Sequence, residues 1–243
     1  PYFSMEYVSG TPITENSYIK KIRSEERLRL FIQICEGVQY AHQKGIIHRD
    51  IKPSNVLVYK ECDKPLPKII DFGVAKALTA PLTEKTFFTE QGQLLGTPEY
   101  MSPEQAEMTI NNIDARTDVY SLGVLLYMLL TGALPFDRKA LELAGFAEIL
   151  RTIREQDPPR PSMCLSSLGE KANQVAKLRK SSPNLLTKRV HGDLDWIVMK
   201  SLEKDRIQRY STVADLAVYS HIELNREPVQ AGPPTVPYKL HKF

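Results

Sequence analysis

The chain has 243 residues, 42% of them hydrophobic and 25% charged, which is enough for one good-sized globular core or two small ones. Its 32 basic and 29 acidic residues leave a formal charge of +3, too balanced to argue for nucleic acid or an anionic membrane surface as a partner. Cys35, Cys62 and Cys164 are odd in number, widely spaced and without a CxxC, so the pattern indicates neither a disulfide framework nor a zinc site and suits a reducing, cytoplasmic setting. The most apolar stretch, Val119 to Leu130, falls short of the roughly 20 residues that span a bilayer, and no signal peptide is visible. The chain opens at Pro1 on a strand-like run, and the expectation is that the protein begins further upstream.

Pro1 to Val8 is rich in aromatic and β-favouring residues and ends at Ser9-Gly10, which predicts a strand running into a loop. From Ser24, the residues Leu28, Phe31, Ile34, Cys35, Val38 and Ala41 recur at spacings of three and four. They predict an amphipathic helix with Ser24 as N-cap and Gly45 as its stop. That helix delivers the chain to His48-Arg49-Asp50-Ile51-Lys52-Pro53-Ser54-Asn55. Between the apolar groups Ile46-Ile47 and Val56-Leu57-Val58, such a loop can hold Asp50 and Asn55 toward one cleft. Asp50 could orient a hydroxyl there, Asn55 offers a neutral oxygen to Mg2+, and Lys52 offers a point charge to a phosphate in transfer. For any one of these residues the alternative is a surface turn with scattered charges; the full eight-residue pattern is what makes a chance match rare.

Asn55 to Tyr59 and Lys68-Ile69-Ile70 read as two short strands around a turn at Asp63 to Pro67, a β-hairpin. The second strand runs into Asp71-Phe72-Gly73. One carboxylate and one amide oxygen leave open positions for water and phosphate oxygens, as Mg2+ prefers. A polar segment with Thr79, Thr83, Thr86 and Thr89 then leads to a rigid corner, Gly96-Thr97-Pro98-Glu99-Tyr100-Met101-Ser102-Pro103-Glu104.

HRDIKPSN, DFG and Ser102-Pro103-Glu104, in this order and spacing, resemble the motifs of the eukaryotic-type protein kinase family, which usually has Ala in place of Ser102. Lys52 and Thr97 are similar to the serine/threonine branch, and Gly96 to Gln105 is similar to bacterial members of it. The resemblance covers about Tyr2 to Glu223, the family's larger, C-terminal lobe. It implies a mainly α fold with a small β-hairpin, one lobe of a two-lobed α+β whole, that uses ATP and Mg2+ to phosphorylate Ser or Thr hydroxyls of a protein substrate. It implies Asp50, Lys52 and Thr97 as the catalytic set and Asn55 and Asp71 as Mg2+ ligands. The adenine side of the site would be Met5 as gatekeeper, the Glu6 carbonyl, the Val8 amide and Leu57. His48 and Phe72 would be structural, Asp118 would accept hydrogen bonds from the backbone around His48 and Arg49, and Glu104 would form a buried ion pair with Arg209. Thr89, with Thr86 as runner-up, is the expected activating phosphosite, with Arg49 as the cation that receives the phosphate. The family's small lobe supplies a Gly-rich loop and a strand lysine for the phosphates. No GxGxxG occurs in this sequence, so the expectation is an N-terminal lobe upstream as partner and no activity from the 243 residues alone.

Asp114 to Leu134 is apolar on all sides and predicts a buried hub helix, with Asp118 also favoured by the helix dipole near its start. Leu141 to Arg154 reads as another helix. Pro158 to Arg189 has no sustained period and reads as a long, partly ordered insertion, its basic cluster Lys177 to Lys180 a solvated face or a docking site. Asp193 to Leu202 resumes helical spacing with Trp196 in the core, and Thr212 to Leu224 is the last helix. Arg206 stands where the family often has proline. The expected division is a kinase domain over residues 1–226 and a linker-like tail over 227–243. The residues leave two other classes open, a non-catalytic binding module and a small-molecule phosphotransferase. Intact Asp50, Lys52, Asn55 and Asp71 argue against the first, and the long segment from Asp71 to Glu104 argues against the second.

Overall fold

The computed structural model describes residues 7–72, 97–107, 113–136 and 145–225. Met5, Glu6, Gly73, the four threonines from Thr79 to Thr89, the expected helix start at Leu141 and the tail 227–243 lie outside the described residues. Tyr7 and Val8 belong to no strand; the first strand is β1, Thr11–Pro12. It turns the expected hairpin into a three-stranded antiparallel sheet with β2 (Val56–Glu61) and β3 (Lys64–Ile69), in the order β1-β2-β3. Thr11 faces Val58, and Val56 faces Ile69. The hairpin turn is Cys62-Asp63, both left-handed at φ 47° and 63°, the backbone hand that matches strand twist. β3 is longer than the expected Lys68 to Ile70. Pro65 and Pro67 mimic turn signals, but at a sheet edge a missing N–H is tolerated.

Helix α1 (Ile13–Ile19) leads to α2 (Ser24–Gln43), which buries Leu28, Phe31, Ile34, Cys35 and Val38. Its N-cap is Arg23 and not Ser24, with the Arg23 N–H donating to Glu26 at 2.9 Å. At its end Gly45 takes φ +74°, its N–H donates to His42 O (2.9 Å), and the Ile46 N–H reaches back to Ala41 O (3.0 Å). This glycine stop satisfies the last carbonyls and sends the chain toward His48.

After the four-residue α3 (Pro103–Ala106) comes the hub α4 (Arg116–Thr131), where Val119, Leu122, Leu125 and Leu126 are fully buried. Gly123 allows a close approach to a neighbour: a Cβ there would stand 2.6 Å from Ser201 Cβ and 3.2 Å from Leu202 Cδ2. Gly123→Ala is expected to push these segments apart at a cost of about 1–3 kcal/mol, minus about 1 kcal/mol of helix propensity. Thermal unfolding followed by circular dichroism should show a melting temperature lower by a few degrees, at about 2–4 °C per kcal/mol; a rise would mean that the contact relaxes freely.

Beyond α5 (Phe146–Glu155), the region expected as a partly ordered insertion is three helices, α6 (Pro161–Ser167), α7 (Lys171–Leu178) and α8 (Pro183–Val190). Pro161 and Pro183 each stand at a helix start, where a missing N–H costs nothing. The Ser162 N–H and hydroxyl both donate to the buried Asp195 carboxylate, at 2.9 and 2.5 Å. Arg179, from the cluster expected to be solvated, is buried and donates to Leu129 O at 2.9 Å. Ala133 N–H, which would continue the ladder of α4 to that carbonyl, goes instead to Thr131 Oγ1 at 3.1 Å, so the guanidinium closes the end of the hub helix. α9 (Asp193–Ser201) and α10 (Val213–Leu224) complete the bundle, the latter capped by Thr212, whose hydroxyl accepts from Asp215 N–H. Trp196, expected in the core, packs on its margin, partly exposed. Among the described residues no helix is long and apolar enough to cross a membrane.

Candidate active site

Asp118, in the first turn of α4 and fully buried, organises the loop that follows α2. One of its oxygens accepts from Arg49 N–H at 2.8 Å; the other accepts from His48 N–H at 2.8 Å and lies 2.7 Å from His42 Nε2. Three partners offset the cost of burying the carboxylate. Arg49 is held at φ +65°, a left-handed conformation that costs energy for a side chain with a Cβ and persists only where its surroundings impose it. His48 is buried, with Nε2 3.0 Å from Ile70 O and Nδ1 3.3 Å from Asp50 N. A carbonyl only accepts and an amide N–H only donates, so the proton sits on Nε2. The His48 ring also packs on Phe72, with centroids 4.7 Å apart.

The loop brings Asp50, Lys52 and Asn55 together. Lys52 Nζ lies 2.9 Å from Asp50 Oδ2, with both side chains part-exposed. Asn55 Nδ2 donates to Asp50 O at 2.8 Å and to its Oδ2 at 3.2 Å. The amide nitrogen is thereby committed to Asp50, and Asn55 Oδ1 keeps lone-pair capacity beyond a long contact from Ser54 Oγ at 3.4 Å. Ile70 N–H donates to Asn55 O at 2.9 Å, which places Asp71 one residue past a bond to Asn55. Asp71 is exposed and left-handed at φ +56°. Two hard oxygen donors, an amide and a carboxylate, fit Mg2+ completed by phosphate oxygens and water. Among the described residues no group of three or more His, Cys, Asp or Glu forms a cage for a metal.

Leu57 lies against the segment after Val8: a Cβ on Gly10 would come within 3.1 Å of Leu57 Cβ, a close approach that glycine permits, and Gly10 N–H turns back to Val8 O at 3.0 Å. Among the described residues Thr97 makes no hydrogen bond to Asp50 or Lys52. Its carbonyl accepts from Tyr100 N–H at 3.3 Å, and its hydroxyl has no hydrogen bond among the described residues. Met5, Glu6, Thr86 and Thr89 lie outside them.

The corner after Thr97 is tied to the helical core. Ser121 Oγ donates to Tyr100 O at 2.7 Å. Glu104 and Arg209, 105 residues apart, form a bidentate pair with both N–O distances 2.8 Å and both side chains buried. Arg209 also donates to the carbonyls of Glu203, Lys204 and Arg116, and Thr117 Oγ1 donates to Glu104 at 2.8 Å. Burial alone would raise the Glu104 carboxyl; the hydrogen bonds and charge of Arg209 more than reverse this and hold it below its ordinary value. Arg206, in place of the common proline, lies 3.4 Å from Asp114 and leaves the pair intact.

Sequence reasoning missed Gln105, whose Nε2 donates to Arg49 O at 2.9 Å across 56 residues. The readable signal was the spacing Ser102-x-x-Gln105, a helix-start capping box, which announces the local half of its contacts.

The protein kinase domain family matches residues 1–218. Serine/threonine-protein kinase Pkn1 of Myxococcus xanthus is 30% identical over 240 residues, 96% of this chain and 30% of the relative. PknB of Mycobacterium leprae is 30% identical over 217 residues, 89% of this chain and 29% of the relative. The probable serine/threonine-protein kinase SCO3848 of Streptomyces coelicolor is 32% identical over 233 residues, 95% of this chain and 29% of the relative. The chain thus spans less than a third of the length of each. The crystal structure of the Mycobacterium tuberculosis PknI kinase domain aligns with a TM-score of 0.56 at 21% identity, covering 90% of this chain and 64% of that one, a likeness of fold.

Proposed function

The chain belongs to the protein kinase domain family, and from that premise we propose that it is the catalytic lobe of a serine/threonine protein kinase, transferring the γ-phosphoryl group of ATP to Ser or Thr hydroxyls of proteins. The observation that carries this function is the grouping of Asp50, Lys52 and Asn55 on one loop whose backbone is clamped by a buried carboxylate. Asp50 orients the acceptor hydroxyl and takes its proton; Lys52, beside it, offsets charge on the phosphoryl oxygens. Asn55 and Asp71 would hold Mg2+, which supplies charge neutralisation on the phosphates when bound. Val8 and Leu57, with Met5 and Glu6, would form the adenine side, and Thr97 would close on Asp50 and Lys52 when a substrate is bound.

In this family ATP use also rests on a Gly-rich loop and a strand lysine of the smaller lobe, and no GxGxxG occurs in these 243 residues. Positioning supplies most of what this chemistry requires, so the 243 residues alone are expected to transfer no measurable phosphate. The test is radiolabelled transfer from Mg-ATP to a casein-like protein and to aminoglycosides, with the 243-residue chain and the full-length protein side by side. Transfer to protein by the full-length form alone is the expected result. Robust transfer by the 243 residues would remove the need for the second lobe, transfer to aminoglycosides would favour a small-molecule phosphotransferase, and no transfer by either form would favour a binding module.

A further inference from the structure

We propose that Gln105 is a positioning residue for Asp50, acting through the Arg49–Asp50 peptide and coupling the docked corner at Ser102–Ala106 to the catalytic loop. This rests on the kinase function above and names a residue that sets the geometry of that same site.

The orientation of the Gln105 amide is dictated by its partners. Ser102 N–H, which only donates, lies 3.0 Å from Oε1, and Arg49 O, which only accepts, lies 2.9 Å from Nε2. An exchanged amide would face donor with donor and acceptor with acceptor. The residue is 6% exposed, so water does not substitute for either bond at little cost.

The Arg49 carbonyl and the Asp50 N–H are two ends of one rigid peptide plane. Gln105 holds the first, and His48 Nδ1 accepts from the second at 3.3 Å. On the other side of Arg49, Asp118 holds its N–H at 2.8 Å. The left-handed Arg49 is therefore gripped at both its N–H and its C=O, and the direction in which the chain leaves it fixes where the Asp50 carboxylate stands against Lys52 and Asn55. Gln105 reaches this carbonyl from α3, which the Glu104–Arg209 pair anchors to the core. Seating of the corner is thereby felt at Asp50 through the Arg49–Asp50 peptide.

Gln105→Glu separates this role from a merely structural one. Glutamate keeps the length of the side chain and the capping box, because it accepts from Ser102 N–H as glutamine does. At neutral pH, however, it turns an oxygen on the Arg49 carbonyl. In the full-length protein, single-turnover transfer from ATP to a Ser/Thr peptide at pH 7.5 should fall about 10–100-fold, with the KM for ATP near wild type and a melting temperature lowered by the buried carboxylate. The ratio of variant to wild-type rate should rise as pH is lowered toward 5.5, where the protonated acid donates to the carbonyl again. Gln105→Met, which has no donor at any pH, should show the loss without the recovery, and it decides the matter if the Glu variant does not fold.

Transfer within about twofold of wild type in a folded Glu or Met variant, far from the loss that misplacement of a reacting group produces, would overturn the proposal. A rate ratio for the Glu variant that is flat with pH would do the same. The control is Asp50→Asn in the same protein. A wild type that transfers nothing overturns the kinase function itself; an Asp50→Asn protein as active as wild type assigns the chemistry elsewhere and removes the positioning role of Gln105 with it; an active wild type with an impaired Asp50→Asn and undiminished Gln105 variants overturns only the role of Gln105.

Discussion

Asp50→Asn in the full-length protein is expected to lower the single-turnover rate of transfer from ATP to peptide by about 10²–10⁴-fold, the range that a positioned general base contributes. The asparagine is isosteric and keeps an oxygen for Lys52 Nζ or Asn55 Nδ2, but it has no capacity to take the proton of the acceptor hydroxyl. Stability should barely change. Lys52 and Asp50 are 21% and 25% exposed at the side chain, so water screens their 2.9 Å contact and the pair is worth roughly 0–1 kcal/mol. Rapid-quench kinetics and thermal unfolding on the same sample check both halves. A variant that transfers as fast as wild type would assign the chemistry elsewhere, and one that unfolds would make Asp50 a structural residue.

Arg209→Met is expected to do the reverse and strike stability first. Methionine fills much of the space but leaves Glu104 buried with the Thr117 hydroxyl and strands the carbonyls of Glu203, Lys204 and Arg116. Breaking a buried pair from one side typically costs about 3–5 kcal/mol, a large part of the stability of an ordinary domain. The pH dependence has a definite sign. In the wild type the Glu104 carboxyl is held below its ordinary value, so its contribution is fully present above the unfolded carboxylate pKa, about 4.3, and is lost as pH falls through the lower folded value. Without Arg209, burial dominates and raises that carboxyl. The variant should then be hurt less at pH 5 than at pH 7.5. Urea unfolding at the two pH values tests this, and a deficit that is equal at both would mean that Glu104 finds another cation.

The sequence carried the grouping of the candidate site further than its architecture. HRDIKPSN keeps Asp50, Lys52 and Asn55 within one loop, so local spacing sufficed to group them, and the apolar period of α2 and the all-round apolar character of α4 announced the helices that hold that loop. What escaped were bonds made at long range. Arg179 sits in a basic cluster whose charge pattern says solvent, and only the fold brings it to a carbonyl 50 residues away. Pro161 and Pro183 fall in the stretch without a sustained period, and composition does not distinguish a proline that ends order from one that starts a helix. Gln105 showed its capping half and hid its contact with Arg49. Glu104 and Arg209 were paired through family resemblance, since nothing local links residues 105 apart.

The Arg179 contact also limits how this family member can drift. Its guanidinium supplies the donor for Leu129 O at the end of a helix buried on all sides, where no solvent stands ready and an unpaired carbonyl is costly. The stretch between Glu155 and Asp193, which by composition resembles a tolerant surface excursion, is then closed to most deletions. A shortened descendant must deliver a replacement donor to Leu129, and insertions are accommodated only where the register from α7 to Arg179 is kept.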